Sequence, residues 1–214
     1  MYQNNYFKCS AAVLMAAVIG LSSFAQDKDA AKKEAKQPSE VEMMAMMMEL
    51  AKPGENHKLL GTGVGNWTYA VKMWTDPSAA PNESAGTSVT REVMGGRYFI
   101  TEHSGKMQMP GPDGKVTDMD FKGMATEGYD NVKKKFVSTW IDNMGTMIMV
   151  SEGDYDAAAK TFTYRTECEM MPGVKTKIRE VIKIDDKNHR TFEFYEDRGG
   201  TEVKTMEIKY TRKG

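Results

Sequence analysis

The sequence predicts an all-β fold, an up-and-down antiparallel barrel of about ten strands preceded by a short helix. The stretch "GNWTYAVKMW" at 65–74 alternates strictly in side-chain character, which is typical of a strand with one buried face. From there to residue 213, strand-forming runs recur at intervals of roughly 10–14 residues and are separated by turn residues. Connections of hairpin length pair successive strands antiparallel, so the chain forms a meander.

The meander can be divided into separate strands from its turn residues. We predict strands over 65–74, 87–94, 95–105, 119–128, 135–143, 145–153, 160–170, 174–185, 189–197 and 201–213. A meander of this length leaves two exposed edge strands, and closing it into a barrel removes both edges. A two-sheet sandwich is the alternative, but its Greek-key topology needs long crossovers, and the connections here are short.

The first 25 residues have the three parts of a secretory signal peptide. Lys8 supplies a positive charge, the apolar run "AAVLMAAVIGLSSFA" follows, and Ser23-Phe24-Ala25 provides a small-x-small cleavage site. The apolar run is short for a membrane span, which argues against an uncleaved anchor. We therefore expect a periplasmic or secreted protein that loses residues 1–25 and has no transmembrane segment in the mature chain.

Two segments separate the signal peptide from the barrel domain, which we assign to residues 53–214. Residues 26–40 are charged and rich in alanine without an apolar stripe, and we expect a flexible spacer there. Residues 41–52 are rich in helix formers and in methionine, and Pro53-Gly54 ends the helix that they predict.

The methionines of this helix have two interpretations. Met43, Met44, Met47 and Met48 form an apolar stripe at helical spacing, which favours packing of the helix against another element. Thioether sulfur also favours Cu(I), so copper binding by the helix is the alternative.

Composition and motifs exclude several classes of function. The net charge is -1 and the pI near 6.3, without a basic stripe that would indicate a nucleic-acid partner. Once Cys9 leaves with the signal peptide, Cys168 is alone and an intramolecular disulfide is impossible. His57, His103 and His189 lack metal-ligand spacing, and phosphate-loop, dinucleotide and serine-nucleophile motifs are absent. We predict neither a metal nor a cofactor.

The direction of each side chain follows from the alternation of apolar and polar residues. In the last strand Met206, Ile208 and Tyr210 alternate with polar residues, so this set should face the barrel interior. Over 97–103 the alternation does not decide between the face of Tyr98 and the face of Phe99.

A barrel of this size is wider than its own side chains readily fill, so we expect an interior cavity lined by aromatic and polar groups. A filled barrel, in which the same groups satisfy one another, is the alternative. The candidate ligand-binding residues are Tyr69, Trp140, Asp142, Tyr164, Glu180 and Tyr210.

The start of the first strand and the end of the last resemble those of lipocalins. "GNW" at 65–67 is similar to the Gly-x-Trp signature of that family, in which a Trp closes the base of the barrel and a late Arg packs over it. Trp67 and Arg212 match this pair in type and position, so the resemblance implies that they close the barrel.

Longer motifs carry a more specific resemblance. They are "PGENHKLL", "GNWTYAVKMWTDP", "GGRYF", "GYDNVKKKFVSTWIDNMGT", "SEGDYD", "IREVIKI", "TFEFYE" and "TMEIKYTR". On these motifs the chain resembles a bacterial family catalogued as domain of unknown function 1579, of secreted lipocalin-like proteins. The resemblance covers nearly all of residues 53–213 and leaves 26–50 outside. It implies a fold and a compartment but no established activity.

The interpretation favoured by these observations is a barrel that binds a small apolar or amphipathic molecule in its cavity. One alternative is an enzyme that uses the same cavity, with Asp142 as a base. Another is a filled barrel that presents its methionine-rich helix to a partner. The identity of the ligand and the oligomeric state stay open.

Cleavage after Ala25 predicts that the mature protein begins at Gln26. The intact mass of protein isolated from the cell envelope or the medium measures this directly. A mass that retains residues 1–25 would contradict the prediction of secretion.

Overall fold

The computed structural model describes residues 37–110 and 115–214. Two helices, α1 (Glu40–Leu50) and α2 (Glu55–Gly61), precede ten strands. The strands are β1 (Gly65–Met73), β2 (Asn82–Val93), β3 (Tyr98–Pro110), β4 (Val116–Asp130), β5 (Lys135–Asp142), β6 (Met149–Asp156), β7 (Thr161–Met171), β8 (Val174–Ile184), β9 (His189–Asp197) and β10 (Glu202–Arg212). The predicted signal peptide and most of the predicted spacer lie outside the described residues.

The ten strands form a closed antiparallel barrel in which each strand pairs with its neighbours in sequence and β1 pairs with β10. The predicted fold class, an up-and-down barrel with a short N-terminal helix, is confirmed. The largest differences from the predicted boundaries are in three strands. β2 begins at Asn82, five residues before the predicted start, β3 ends at Pro110, five residues after the predicted end, and β6 covers 149–156 instead of 145–153.

Helix α2 was not predicted, because its seven residues are too few to show a clear helical period. It covers the end of the barrel at which β1 begins, which we call the base. Leu60 of α2 belongs to the buried cluster of the base. His57 is also buried, accepts a hydrogen bond from the Gly54 amide at 3.0 Å and makes an edge contact with the ring of Tyr129.

Helix α1 has a complete capping box at its start, formed by Ser39 and Glu42. None of its residues is buried against the described part of the chain, and its five methionines are 46–66% exposed. The expectation that the methionine stripe packs onto the rest of the domain is therefore wrong for the described residues. Within the described residues, hydrogen bonds to the barrel hold the C-terminal end of α1. Asn131 Nδ2 donates to the carbonyls of Leu50 and Lys52, and Arg97 Nε donates to the carbonyl of Ala51.

The base of the barrel is closed around Trp67, which is 3% exposed. Its ring nitrogen donates to the Gly63 carbonyl at 2.9 Å, and the guanidinium carbon of Arg212 lies 4.2 Å from the ring centroid. Arg212 also donates to the carbonyls of Val64, Thr62 and Lys187, so it ties the last strand to the segment before the first. Arg190, which sequence analysis did not single out, lies 5.4 Å from the same ring.

Replacing Trp67 by Ala should lower the free energy of unfolding by about 3–5 kcal/mol, because it removes a fully buried aromatic side chain and its hydrogen bond. Lys72→Ala is the control on the opposite face of β1, where an exposed ion pair with Glu83 at 3.7 Å contributes little. Urea melts of both variants measure the two changes. Equal midpoints would contradict the assigned faces of β1.

Candidate functional site

The register of the strands defines the interior-facing residues around the whole barrel. Trp67 is opposite Ser88, Ser88 is opposite His103, His103 is opposite Gly123, and Gly123 is opposite Asp142. The same register resolves the undecided strand. Phe99, Thr101 and His103 of β3 face inward and are 2–9% exposed, whereas Tyr98 faces outward and is 45% exposed.

The lowest interior layer is apolar and densely packed. Its buried cluster comprises Leu60, Phe99, Phe136, Phe162 and Tyr164, with Tyr129, Tyr155, Ile182 and Ile184 packed against it. Edge-to-face contacts join Phe136 to Tyr129 and Phe162, with ring centroids 4.9 and 5.0 Å apart. This layer and α2 together seal the base.

Above the aromatic layer the interior is polar, although it is buried. The buried polar residues here include Ser88, Thr90, Thr101, His103, Ser151 and Glu180. The Thr90 and Thr101 hydroxyls are hydrogen-bonded to each other at 2.9 Å. Buried polar groups cost free energy unless they find partners, so this layer is where a ligand with polar groups would gain specific contacts.

Two carboxyl groups flank Tyr164, where the aromatic layer meets the polar layer. Glu180 lies directly opposite Tyr164 in the register of β7 and β8, and the Tyr164 hydroxyl donates to Glu127 Oε1 at 3.5 Å. Burial raises the pKa of Glu180 to about 7, hydrogen bonding to Ser151 opposes this shift, and the charge of Glu127 adds to it. Burial also raises the pKa of Glu127, against the charge of Arg190 and the Tyr164 hydroxyl. Glu180 therefore exchanges its proton near neutral pH.

His103 occupies the space between two of the predicted site residues. Its ring centroid is 5.6 Å from that of Tyr69 and 5.3 Å from that of Trp140, and its Nε2 lies 3.2 Å from the Tyr210 hydroxyl. Burial lowers the pKa of His103 to about 4, so the ring is neutral at pH 7. Its Nδ1 is buried and has no hydrogen-bond partner among the described residues. From the sequence, His103 was considered as a metal ligand, and its interior position was not predicted.

Glycines make room for the two large rings beside His103. A Cβ on Gly86 or Gly105 would collide with the Tyr69 ring or hydroxyl, and one on Gly123 would collide with the Trp140 indole. The Trp140 ring nitrogen donates to Asp142 Oδ2 at 2.8 Å, and Asp142 Oδ1 accepts from the Met144 amide at 2.9 Å. Both carboxylate oxygens of Asp142 are thus used in local structure, which disfavours the proposed role as a base.

The part of the interior away from the base is reached by solvent. Several side chains there face inward by register yet are only partly buried, although the closed sheet screens them from the outside. They are Trp140, Phe192, Phe194, Met206, Ile208 and Tyr210. An inward-facing side chain can keep exposure only if water-sized space exists beside it, so water reaches the interior next to these side chains.

The predicted site residues fall into two groups. Tyr69, Trp140 and Tyr210 surround His103, with ring centroids of Tyr69 and Tyr210 5.9 Å apart, and Asp142 joins this group through its hydrogen bond with Trp140. Tyr164 and Glu180 form the second group with Glu127. Sequence analysis missed Glu127. It shares an interior face with Phe121 and Tyr129 at even spacing, and this spacing was the available signal.

A closed ten-stranded up-and-down barrel that is sealed at one end and lined by aromatic and polar side chains is lipocalin-like in architecture. The family described as "Protein of unknown function (DUF1579)" matches residues 52–212, and the chain belongs to that family.

Two further comparisons concern solved structures and curated proteins. The chain is similar to the crystal structure of Rv2717c from M. tuberculosis, with a TM-score of 0.50 and 12% identity over 76% of this chain and 100% of that one. This similarity concerns the fold alone. No curated protein matches the chain.

The described residues give no sign of a metal centre or a helical membrane span. Within 37–110 and 115–214, no three His, Cys, Asp or Glu side chains come together in a way that could hold a metal ion. Neither α1 nor α2 has the length and apolar character needed to cross a bilayer.

The raised pKa of Glu180 predicts a specific pH dependence of stability. The stabilising contribution of the protonated carboxyl is complete below about pH 4.5 and is lost as the pH rises through about 7. Glu180→Gln removes this titration, so the stability of the variant relative to wild type should rise by about 3 kcal/mol across that range.

Urea melts of Glu180→Gln and wild type at a series of pH values measure this difference. The lowered pKa of His103 makes stability depend on pH in the opposite direction, but both proteins contain His103, so its effect cancels in the comparison. Glu83→Gln, at an exposed position of β2, is the control and should follow wild type. A constant difference between Glu180→Gln and wild type would contradict the assignment.

Proposed function

We propose that this protein is an exported barrel that binds a small amphipathic molecule in its interior. The observation that carries the proposal is the partial exposure of inward-facing apolar side chains such as Phe192, Phe194 and Ile208. These side chains form an apolar interior surface that is in contact with water, and a bound ligand would displace that water. The polar layer below them gives the same interior a second, hydrogen-bonding zone.

The apolar surface and the polar layer together indicate the chemistry of the ligand. Its apolar part would lie against Trp140 and the phenylalanines of β9, and its polar part would point towards Glu180 and Glu127. Because Glu180 holds a proton for much of the time at neutral pH and His103 is neutral, the layer is poorly suited to a strong anion. A polar group that donates hydrogen bonds to carboxyl oxygens is the best match.

The compartment is part of the proposal and rests on residues 1–25. Their charged start, apolar run and small-x-small ending support export. The ligand would enter at the end of the barrel opposite the base, where the inward-facing apolar side chains provide a concave, mostly apolar site of the kind that binds small molecules.

A second candidate is catalysis in the same interior, and one observation favours a particular residue for it. Glu180 has a pKa of about 7, so it is suited to give or take a proton at neutral pH, unlike the hydrogen-bonded Asp142. If a bound compound is converted by wild type, Glu180→Gln should abolish conversion and leave binding in place. Equal turnover by wild type and Glu180→Gln would contradict a catalytic role for Glu180.

An apolar dye that fluoresces on burial should bind the folded protein with a stoichiometry of one. Trp140→Ala should weaken binding about tenfold, because the interior loses much of an aromatic surface. Trp74→Ala is the matched control: Trp74 follows β1 with the opposite side-chain direction, and its ring lies 5.7 Å from the Lys204 ammonium.

Arg212→Ala should lower stability more than affinity, since Arg212 acts on Trp67 at the base. Fluorescence titration and urea melts of the three variants separate the two effects. Saturable binding that is unchanged by Trp140→Ala would place the dye elsewhere and contradict an interior site.

A further inference from the structure

Helix α1 contains an unusual concentration of one side-chain type. Five of the six residues from 43 to 48 are methionine, and the sixth is alanine. Leucine would give the helix the same apolar character and has a similar helix propensity. Methionine differs from leucine in its thioether sulfur, which is polarizable and has electron pairs to donate. The composition of α1 therefore concentrates sulfur donors as well as apolar surface.

Packing does not account for these methionines within the described residues. None of the residues of α1 is buried, and the five methionine side chains are 46–66% exposed. Methionine is one of the residue types that is most often fully buried in folded proteins. The side chains that carry the sulfur atoms of α1 are instead accessible to small solutes.

The helix that carries the methionines is held at both ends. At its start the Ser39 hydroxyl oxygen accepts from the Glu42 amide, and the Glu42 carboxylate accepts from the Ser39 amide. At its end Asn131 and Arg97 donate to the carbonyls of residues 50–52. The relative positions of the methionines are thus fixed by the backbone, and an ion that binds them would not have to order the helix.

Helical spacing places the methionines in two overlapping groups of three. Residues at positions i, i+3 and i+4 are neighbours on one helix face, with Cβ atoms about 5–6 Å apart. Met43, Met46 and Met47 have this spacing. Met44, Met47 and Met48 have it as well. Methionine is unbranched and flexible, so either group can bring three sulfur atoms to one ion, and Met47 belongs to both groups.

Thioether sulfur selects a particular class of metal ion. It is a soft, uncharged donor that favours Cu(I). Zn²⁺ is bound by thiolate, imidazole and carboxylate, and Ca²⁺ and Mg²⁺ by oxygen. The described residues contain no cluster of His, Cys, Asp and Glu that could hold such ions, so methionine is the donor that remains. Glu40 and Glu42 in the first turn, with no basic residue in α1, give the helix a negative charge that attracts a cation.

We propose that α1 binds one Cu(I) ion through three methionine sulfurs, in a group that includes Met47. Binding forms bonds from sulfur electron pairs to the ion and involves no transfer of an electron or a proton, because a thioether has no proton to lose. The site is independent of the proposed ligand, which lies inside the barrel.

Titration of protein purified from cells expressing the full chain tests the site. Cu(I) is kept reduced with ascorbate and competes with a chromogenic Cu(I) chelator, which gives stoichiometry and affinity. Met47→Leu should weaken binding at least about tenfold, because it removes a direct donor from both groups and even indirect partners of a metal contribute that much. Met46→Leu leaves the other group intact and should weaken binding only about twofold.

The control is the double variant Met170→Leu/Met171→Leu. These methionines are 51 and 63% exposed at the β7–β8 hairpin, and their replacement should leave the affinity unchanged. Leucine and methionine are similar in volume and helix propensity, so every variant keeps its apolar surface. A methionine that serves only packing would therefore show no change on replacement. Urea melts and circular dichroism equal to wild type establish that the variants fold.

The pH dependence of binding identifies the donor atoms. Thiol and imidazole donors must lose a proton to bind a metal, so their affinity rises with pH. Thioether donors do not, and the affinity should stay within about twofold between roughly pH 6 and 8. This comparison separates α1 from the Cys168 thiol, which is half-buried in the barrel.

Any of three results would overturn the proposal. The first is a wild-type protein that takes up no Cu(I) at about 10 µM. The second is binding that Met47→Leu leaves unchanged. The third is an affinity that rises about tenfold for each unit of pH, which would assign the ion to a thiol or an imidazole.

Discussion

The pairing of the first strand with the last is the contact on which the rest of this structure depends. β1 and β10 pair over seven residues, from Trp67 opposite Arg212 to Met73 opposite Met206. This pairing removes the two edges of the meander and gives every strand an inner and an outer face. It also brings Arg212 over the Trp67 ring, where its hydrogen bonds fasten the segment before β1. The pairing of β1 with β10 therefore both closes the barrel and positions the side chains that cover its base.

Closure has a direct consequence for the chemistry of the interior. Polar residues that would be solvated on an open sheet become buried, and their proton affinities change accordingly. Glu180 and His103 show this in opposite directions: burial raises the pKa of the carboxyl to about 7 and lowers that of the imidazole to about 4. Both shifts favour the neutral form. The barrel consequently contains a buried polar layer in which both of these side chains favour their neutral forms.

The fold could be predicted because side-chain alternation with period two is a strong signal when repeated over ten strands. The face of β3, the interior position of Glu127 and helix α2 were not predicted, because each depends on contacts between residues that are distant in the sequence. The face of β3 was undecided because Tyr98 and Phe99 are equally apolar, so the interior position of His103 depended on tertiary register. Glu127 was missed because a charged residue normally indicates an outer face. Helix α2 was missed because its burial, not its periodicity, stabilises it.

The proposed function depends on a ligand that enters the barrel interior at the end opposite the base. A crystal structure of the protein with a bound amphipathic dye tests this most directly. We predict ligand density inside the barrel, with the apolar part beside Trp140, Phe192 and Ile208 and the polar part nearer Glu180. Density confined to the outer grooves, beside Leu50 and Tyr98 or over Lys72 and Glu207, would contradict it.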